Sequence, residues 1–134
     1  MKGLLQLSFL PQSSDLGLLI LRLSLGLAML FNHGWVKLMN FSSLANSFPP
    51  VLGNGQITLA LTVFAEVGCA ALLILGFFTR FAAAVLAITM GVAFFKVHAM
   101  NLSGANSGEL AFVYLVGFLA LTFAGAGRFS ADKS

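Results

Sequence analysis

Seven ionisable side chains lie inside or at the edges of long apolar runs: Arg22, His33, Lys37, Glu66, Lys96, His98 and Glu109. An ionised group at the centre of a membrane helix costs roughly 2.5–3.5 kcal/mol on insertion scales, so each needs a partner, a route to water or a task. Glu66 is the most telling. It sits near the middle of its run, and its short side chain reaches neither surface from there. It must be protonated or paired. Arg22 is its expected partner. Such a buried ion pair either handles protons or only fixes helix register. Arg22, Gly26, Met29, His33, Lys37 and Asn40 follow one another at spacings of 4, 3, 4, 4 and 3. At about 100° per residue they fall on one stripe of a helix, which should face the interior of a bundle. Snorkelling is the plainer account of its ends, with Arg22 near one interface and Lys37 near the other.

A second grouping is expected at the outward end, where His33, Lys37, Lys96 and His98 surround Glu109. Four potential cations around one acid suit proton handling or anion binding. The plainer accounts are a helix start at Glu109, capped by Asn106, and an interfacial anchor at Lys96. The spacing of the two histidines and the acid matches no metal motif, so no metal site is expected. Glu66, Arg22 and Glu109 are the catalytic candidates if there is chemistry. Thr62 and Cys69 share the face of Glu66. Cys69 is the single cysteine, so an intrachain disulfide, a CxxC pair and an all-cysteine metal site are excluded. It reads as a small packing residue. Ala83, Ala87 and Gly91 form a small-residue stripe that lets two helices approach closely, and Phe94 and His98 continue it. Trp35 fits an interfacial belt.

These residues need a membrane scaffold. The chain has 134 residues, 59% apolar and 8% charged, with a mean hydropathy of +0.99. Soluble domains run at about 45–50% apolar and about 25% charged. A soluble enzyme, a nucleic-acid-binding domain and a disordered tail are excluded. The net charge of +3 reads as an orientation signal and not as a phosphate-binding patch. Four runs approach the roughly 20 apolar residues of a spanning helix: about 16–39, 56–78, 80–100 and 109–126. They are continuous and not alternating, which favours helices over a barrel. Short connections make neighbours antiparallel. The expected fold is an all-α integral membrane protein: one domain over 1–134, a four-helix antiparallel transmembrane bundle. Residues 1–10 read as a surface-lying segment that stays attached. Lys2, Arg80, Arg128 and Lys133 share one side, against Lys37 and Lys96 on the other, which places both termini in the cytoplasm.

Several of these residues also carry a family likeness. Arg22, then His33-Gly34-Trp35-Val36-Lys37-Leu38 and Phe41, resemble the start of DoxX-family proteins. Glu66-Val67-Gly68, the turn from Leu73 to Arg80, Phe95 to His98, Glu109 with Tyr114, and Gly125 to Asp132 continue the resemblance from about residue 18 to 132. It implies a small four-helix protein of the bacterial inner membrane, with polar positions at Arg22, Gly34, Lys37, Glu66 and Glu109. It also implies association with membrane redox proteins, the family being named for subunits of a thiosulfate:quinone oxidoreductase. The paired cysteines of thiol-handling relatives are missing here. The first functional expectation is therefore a redox- or quinone-associated subunit, with quinone the possible cofactor. The second is a non-catalytic partner, assembly factor or anchor. The third is permeation of a small solute or protons through a homo-oligomer, although no inverted repeat is evident. The lipid bilayer and other membrane proteins are the expected partners, and nucleic acid is not.

Overall fold

The structure is a computed structural model that describes residues 2–104 and 107–132. Among the described residues every regular element is helical. Three helices are long and apolar enough to cross a membrane: α2 (Ser14–Met39), α4 (Gly55–Leu75) and α5 (Thr79–Val97). A fourth apolar helix, α6 (Glu109–Ala124), has 16 residues. Two short helices flank α2: α1 (Lys2–Leu5) and α3 (Phe41–Leu44).

Local chemistry sets the helix ends. Ser13 caps α2 by accepting the Leu16 N–H at 3.1 Å, with Asp15 in the first turn. Asn54 caps α4 by accepting from Gln56 and Ile57. Gly76, at φ 71°, stops α4 three residues before the expected end at 78. The third run ends at Val97 rather than near 100, because Ala99 and Met100 turn left-handed at φ 50° and 61°. The last run ends at Ala124, where Gly125 turns the chain.

Successive long helices run antiparallel. The Gly76–Thr79 turn reverses α4 into α5. Arg80 Nε, at the start of α5, donates to the Thr122 carbonyl near the end of α6 at 2.8 Å. α5 and α6 pack along their length, with Ala83 and Ala87 buried between helices as the small-residue stripe requires. The core holds Met29, Cys69, Leu73, Leu86, Phe118 and Leu121, all fully buried. The outside is as apolar as the inside: Ile88 is 68% exposed and Phe123 81%. A surface of that kind suits hydrocarbon and not water.

Each of the three long helices contains a π turn, at Leu30–Gly34, Phe64–Cys69 and Ala93–Val97. A π turn spends one extra residue and so rotates the face that follows it. Arg22, Gly26 and Met29 are buried as the stripe predicts. The next buried position is Gly34, not His33.

Candidate functional site

The π turn brings α2 and α4 into backbone contact. A Cβ on Gly34 would lie 2.6 Å from the carbonyl carbon and oxygen of Glu66. Only glycine permits that approach. Three residues further along α2, Lys37 Nζ donates to Glu66 Oε1 at 2.8 Å. The Glu66 side chain is 3% exposed and that of Lys37 23%. The carboxylate is therefore sealed inside, and the ammonium forms the outer edge of the pair. His33 stands edge-on to Tyr114 of α6, with ring centroids 5.5 Å apart and planes at 86°. Tyr114 in turn stacks on Phe118 at 5.7 Å. Three helices thus contribute four polar groups to one level of the structure. The chemistry on offer is a carboxylate that can hold a proton, an ammonium with two N–H groups beyond the one given to Glu66, an imidazole and a phenol.

The expected pair of Arg22 with Glu66 does not form. Gly26, one turn after Arg22, already faces Ala70 and Ile74 on α4, and Arg22 itself lies level with Gly76. Glu66 is more than two turns away along α4. Arg22, 2% exposed, donates instead to the carbonyls of Ala126 and Phe129, both at 2.9 Å. It holds the C-terminal segment against the end of the bundle. Gly125 and Gly127, at φ 83° and 80°, let that segment fold back. The Asp132 carboxylate then accepts the N–H groups of Phe78 and Thr79 at 2.9 and 2.8 Å. This supplies the cap that α5 lacks from its own preceding residue. Burial pushes the Asp132 carboxyl up, but the N–H bonds from Thr79 and Phe78 and the charge of Arg22 outweigh it. The net effect holds Asp132 below the usual carboxylate range.

The outward grouping is only partly assembled. His33 and Lys37 turn to α6 and α4. Lys96 and Glu109 are exposed, and the ion pairs among the described residues are Lys37–Glu66 and Asp15–Arg128. His98 is half-buried, packs against Gly108 and leaves Nδ1 without a hydrogen-bond partner among the described residues. The α6 residue that meets His33 is Tyr114, more than one turn beyond Glu109. Asn106 lies outside the described residues, and the Glu109 N–H is accepted by Ser107 Oγ at 3.1 Å. No group of three metal-ligating side chains comes together among the described residues. Sequence reasoning missed Lys37 as the partner of Glu66 and Tyr114 as a member of the site. The available signal was the glycine at 34, one turn before Lys37 on the interior face.

Long apolar helices, an apolar exterior and an ion pair sealed between two helices define a helical membrane protein. The DoxX family model matches residues 17–99, and the chain belongs to the DoxX family. An uncharacterized protein of Haemophilus influenzae is similar, with 34% identity over 110 residues covering 78% of this chain and 81% of that one. No solved structure matches the chain.

Proposed function

We propose that this protein is a redox-associated subunit of the bacterial inner membrane, and that Lys37, Glu66, His33 and Tyr114 form its polar intramembrane site. In this reading α6 is the fourth span and both termini are cytoplasmic. One observation carries the proposal: a carboxylate 3% exposed is paired to an ammonium that keeps an open side. A purely structural pair needs no open side.

The donor set fits a quinone headgroup, whose carbonyl oxygens only accept hydrogen bonds. Lys37 retains N–H groups for such an acceptor, and His33 offers an imidazole on the same helix. A bound quinone supplies two-electron, two-proton chemistry. The protein's own part is to orient the headgroup through Lys37, to exclude water through the α2–α4 backbone contact, and to hold a proton at the Glu66 carboxylate. Tyr114 braces His33 edge-on and fixes its ring.

The test is mass spectrometry of the organic extract of protein purified in mild detergent. Stoichiometric quinone is expected, retained in Arg22→Lys and lost in Lys37→Met. An extract holding only bulk phospholipid overturns the quinone reading. The second reading is a non-catalytic partner whose pair only sets the register of α2 against α4, favoured by the close approach at Gly34. Exchanging the charges (Lys37→Glu with Glu66→Lys) separates the two. A structural pair survives the exchange and a chemical site does not.

A further inference from the structure

We propose that the cleft between α4 and α5, roofed by residues 48–52, binds a compact apolar molecule with a single hydroxyl group, an alcohol or a phenol, which it donates to Thr62 or Thr89. The cleft encloses about 220 Å³ between Val51, Leu52, Leu61, Ile88 and Val92. A smaller space of about 60 Å³ adjoins it beneath Phe48 and Pro49. Three threonines interrupt the apolar wall, and their hydrogen bonds define what the cleft accepts. Thr58 donates to the Asn54 carbonyl at 2.7 Å and already accepts the Leu52 N–H at 3.2 Å. That second bond pins the roof. Thr62 donates to the Thr58 carbonyl at 2.7 Å and Thr89 to the Val85 carbonyl at 2.9 Å. Neither Thr62 nor Thr89 accepts a hydrogen bond from any described residue.

A hydroxyl oxygen that has given its proton to its own helix presents only lone pairs. An occupant must therefore bring the proton. A ketone or quinone would face acceptor with acceptor, or would break one of those helical bonds. An ammonium would have to shed its hydration in an apolar wall without a counter-charge. A hydrocarbon fills the space and leaves the oxygens unmet. The rim residues Leu61 and Ile88 are 52% and 68% exposed, so the entrance faces the apolar side of α4 and α5. Occupants then arrive from the bilayer. None of the lining belongs to the Lys37–Glu66 site, and the inference stands or falls independently of the redox reading.

The experiment is methyl NMR on the full chain in lipid nanodiscs, labelled at Ile, Val and Thr, titrated with 4-propylphenol and separately with propylbenzene. Saturable shifts of the Ile88, Val92, Thr62 and Thr89 methyls are expected with the phenol, with affinity on the order of tenfold above propylbenzene, as one hydrogen bond predicts. Thr62→Val with Thr89→Val preserves shape and should bring the phenol down to the propylbenzene level. Equal affinity of the two compounds for the native protein overturns the proposal and leaves a groove for acyl chains. Unchanged phenol binding in the double variant also overturns it. The first comparison needs no variant to fold.

Discussion

Lys37 and Glu66 place an asymmetric stake in one another. Lys37 keeps 23% of its side chain exposed and can find another orientation, whereas Glu66 at 3% cannot. Lys37→Met should therefore be the worse single change. It leaves a buried carboxylate without a cation, at a cost of about 3–5 kcal/mol or a proton taken up in its place. Glu66→Gln should cost less. The double change Lys37→Met with Glu66→Gln should be more stable than Lys37→Met alone, measured by equilibrium unfolding in mixed micelles. A double variant less stable than both singles would mean that the pair does not couple. Asp132 gives the second expectation at this scale. Its carboxyl is held below the usual range, so its contribution is fully present above the unfolded value of about 3.9 and is lost as pH falls through the lower folded value. The thermal midpoint should stay flat from neutral pH to about 5 and drop below about 4. Asp132→Asn should lower the plateau and shrink that acid drop, because Phe78 and Thr79 lose a charged acceptor.

The α2–α4 contact rests on a backbone approach that one methyl group can break. Gly34→Ala places a Cβ 2.6 Å from Glu66 backbone atoms, which have no rotamer through which to yield. Gly26→Ala meets the flexible Ile74 side chain at 2.7 Å and should be tolerated better. The first should destabilise by about 1–3 kcal/mol and abolish the Lys37–Glu66 coupling. A Gly34→Ala protein that keeps the full coupling energy in the same unfolding cycle would show that the pair does not need this approach. The helices themselves were legible in the sequence, because apolar run length acts locally; their ends were less so, as the run expected to reach 78 stops at Gly76. The interior face of α2 was legible as far as Met29. The partner of Glu66 was not, because the π turn at Leu30–Gly34 shifts the face by one residue and no spacing rule announces it. Arg22 was misassigned for a related reason. Its acceptors, the Ala126 and Phe129 carbonyls, carry no side-chain signature and lie more than a hundred positions away in the chain.

At the scale of the whole molecule the question is which way the bundle faces and how often it crosses. The start of α2, the α4–α5 turn and the C-terminal segment are tied together through Asp15, Asp132 and Arg22. Arg80 and Arg128 lie at that end, while Lys37 and Lys96 lie toward the other. In the proposed orientation the tied end faces the cytoplasm, because Lys2 and Lys133 of the sequence join Arg80 and Arg128 against Lys37 and Lys96. This requires α6 to cross, although its 16 residues span only about 24 Å at 1.5 Å per residue. The hydrocarbon core is about 30 Å thick, so the bilayer must thin locally, or the flanking residues must dip into it. Cysteine labelling tests both points, because the native Cys69 is fully buried and gives a low background. Gln12→Cys should react with a membrane-impermeant maleimide only after the cells are opened, and so should a cysteine at Arg128. Ser103→Cys should react in intact spheroplasts. Labelling of position 128 on the same side as 103 would mean that α6 does not cross, and would leave three spans. Labelling of position 12 in intact spheroplasts would invert the molecule and place the open edge of Lys37 toward the cytoplasm.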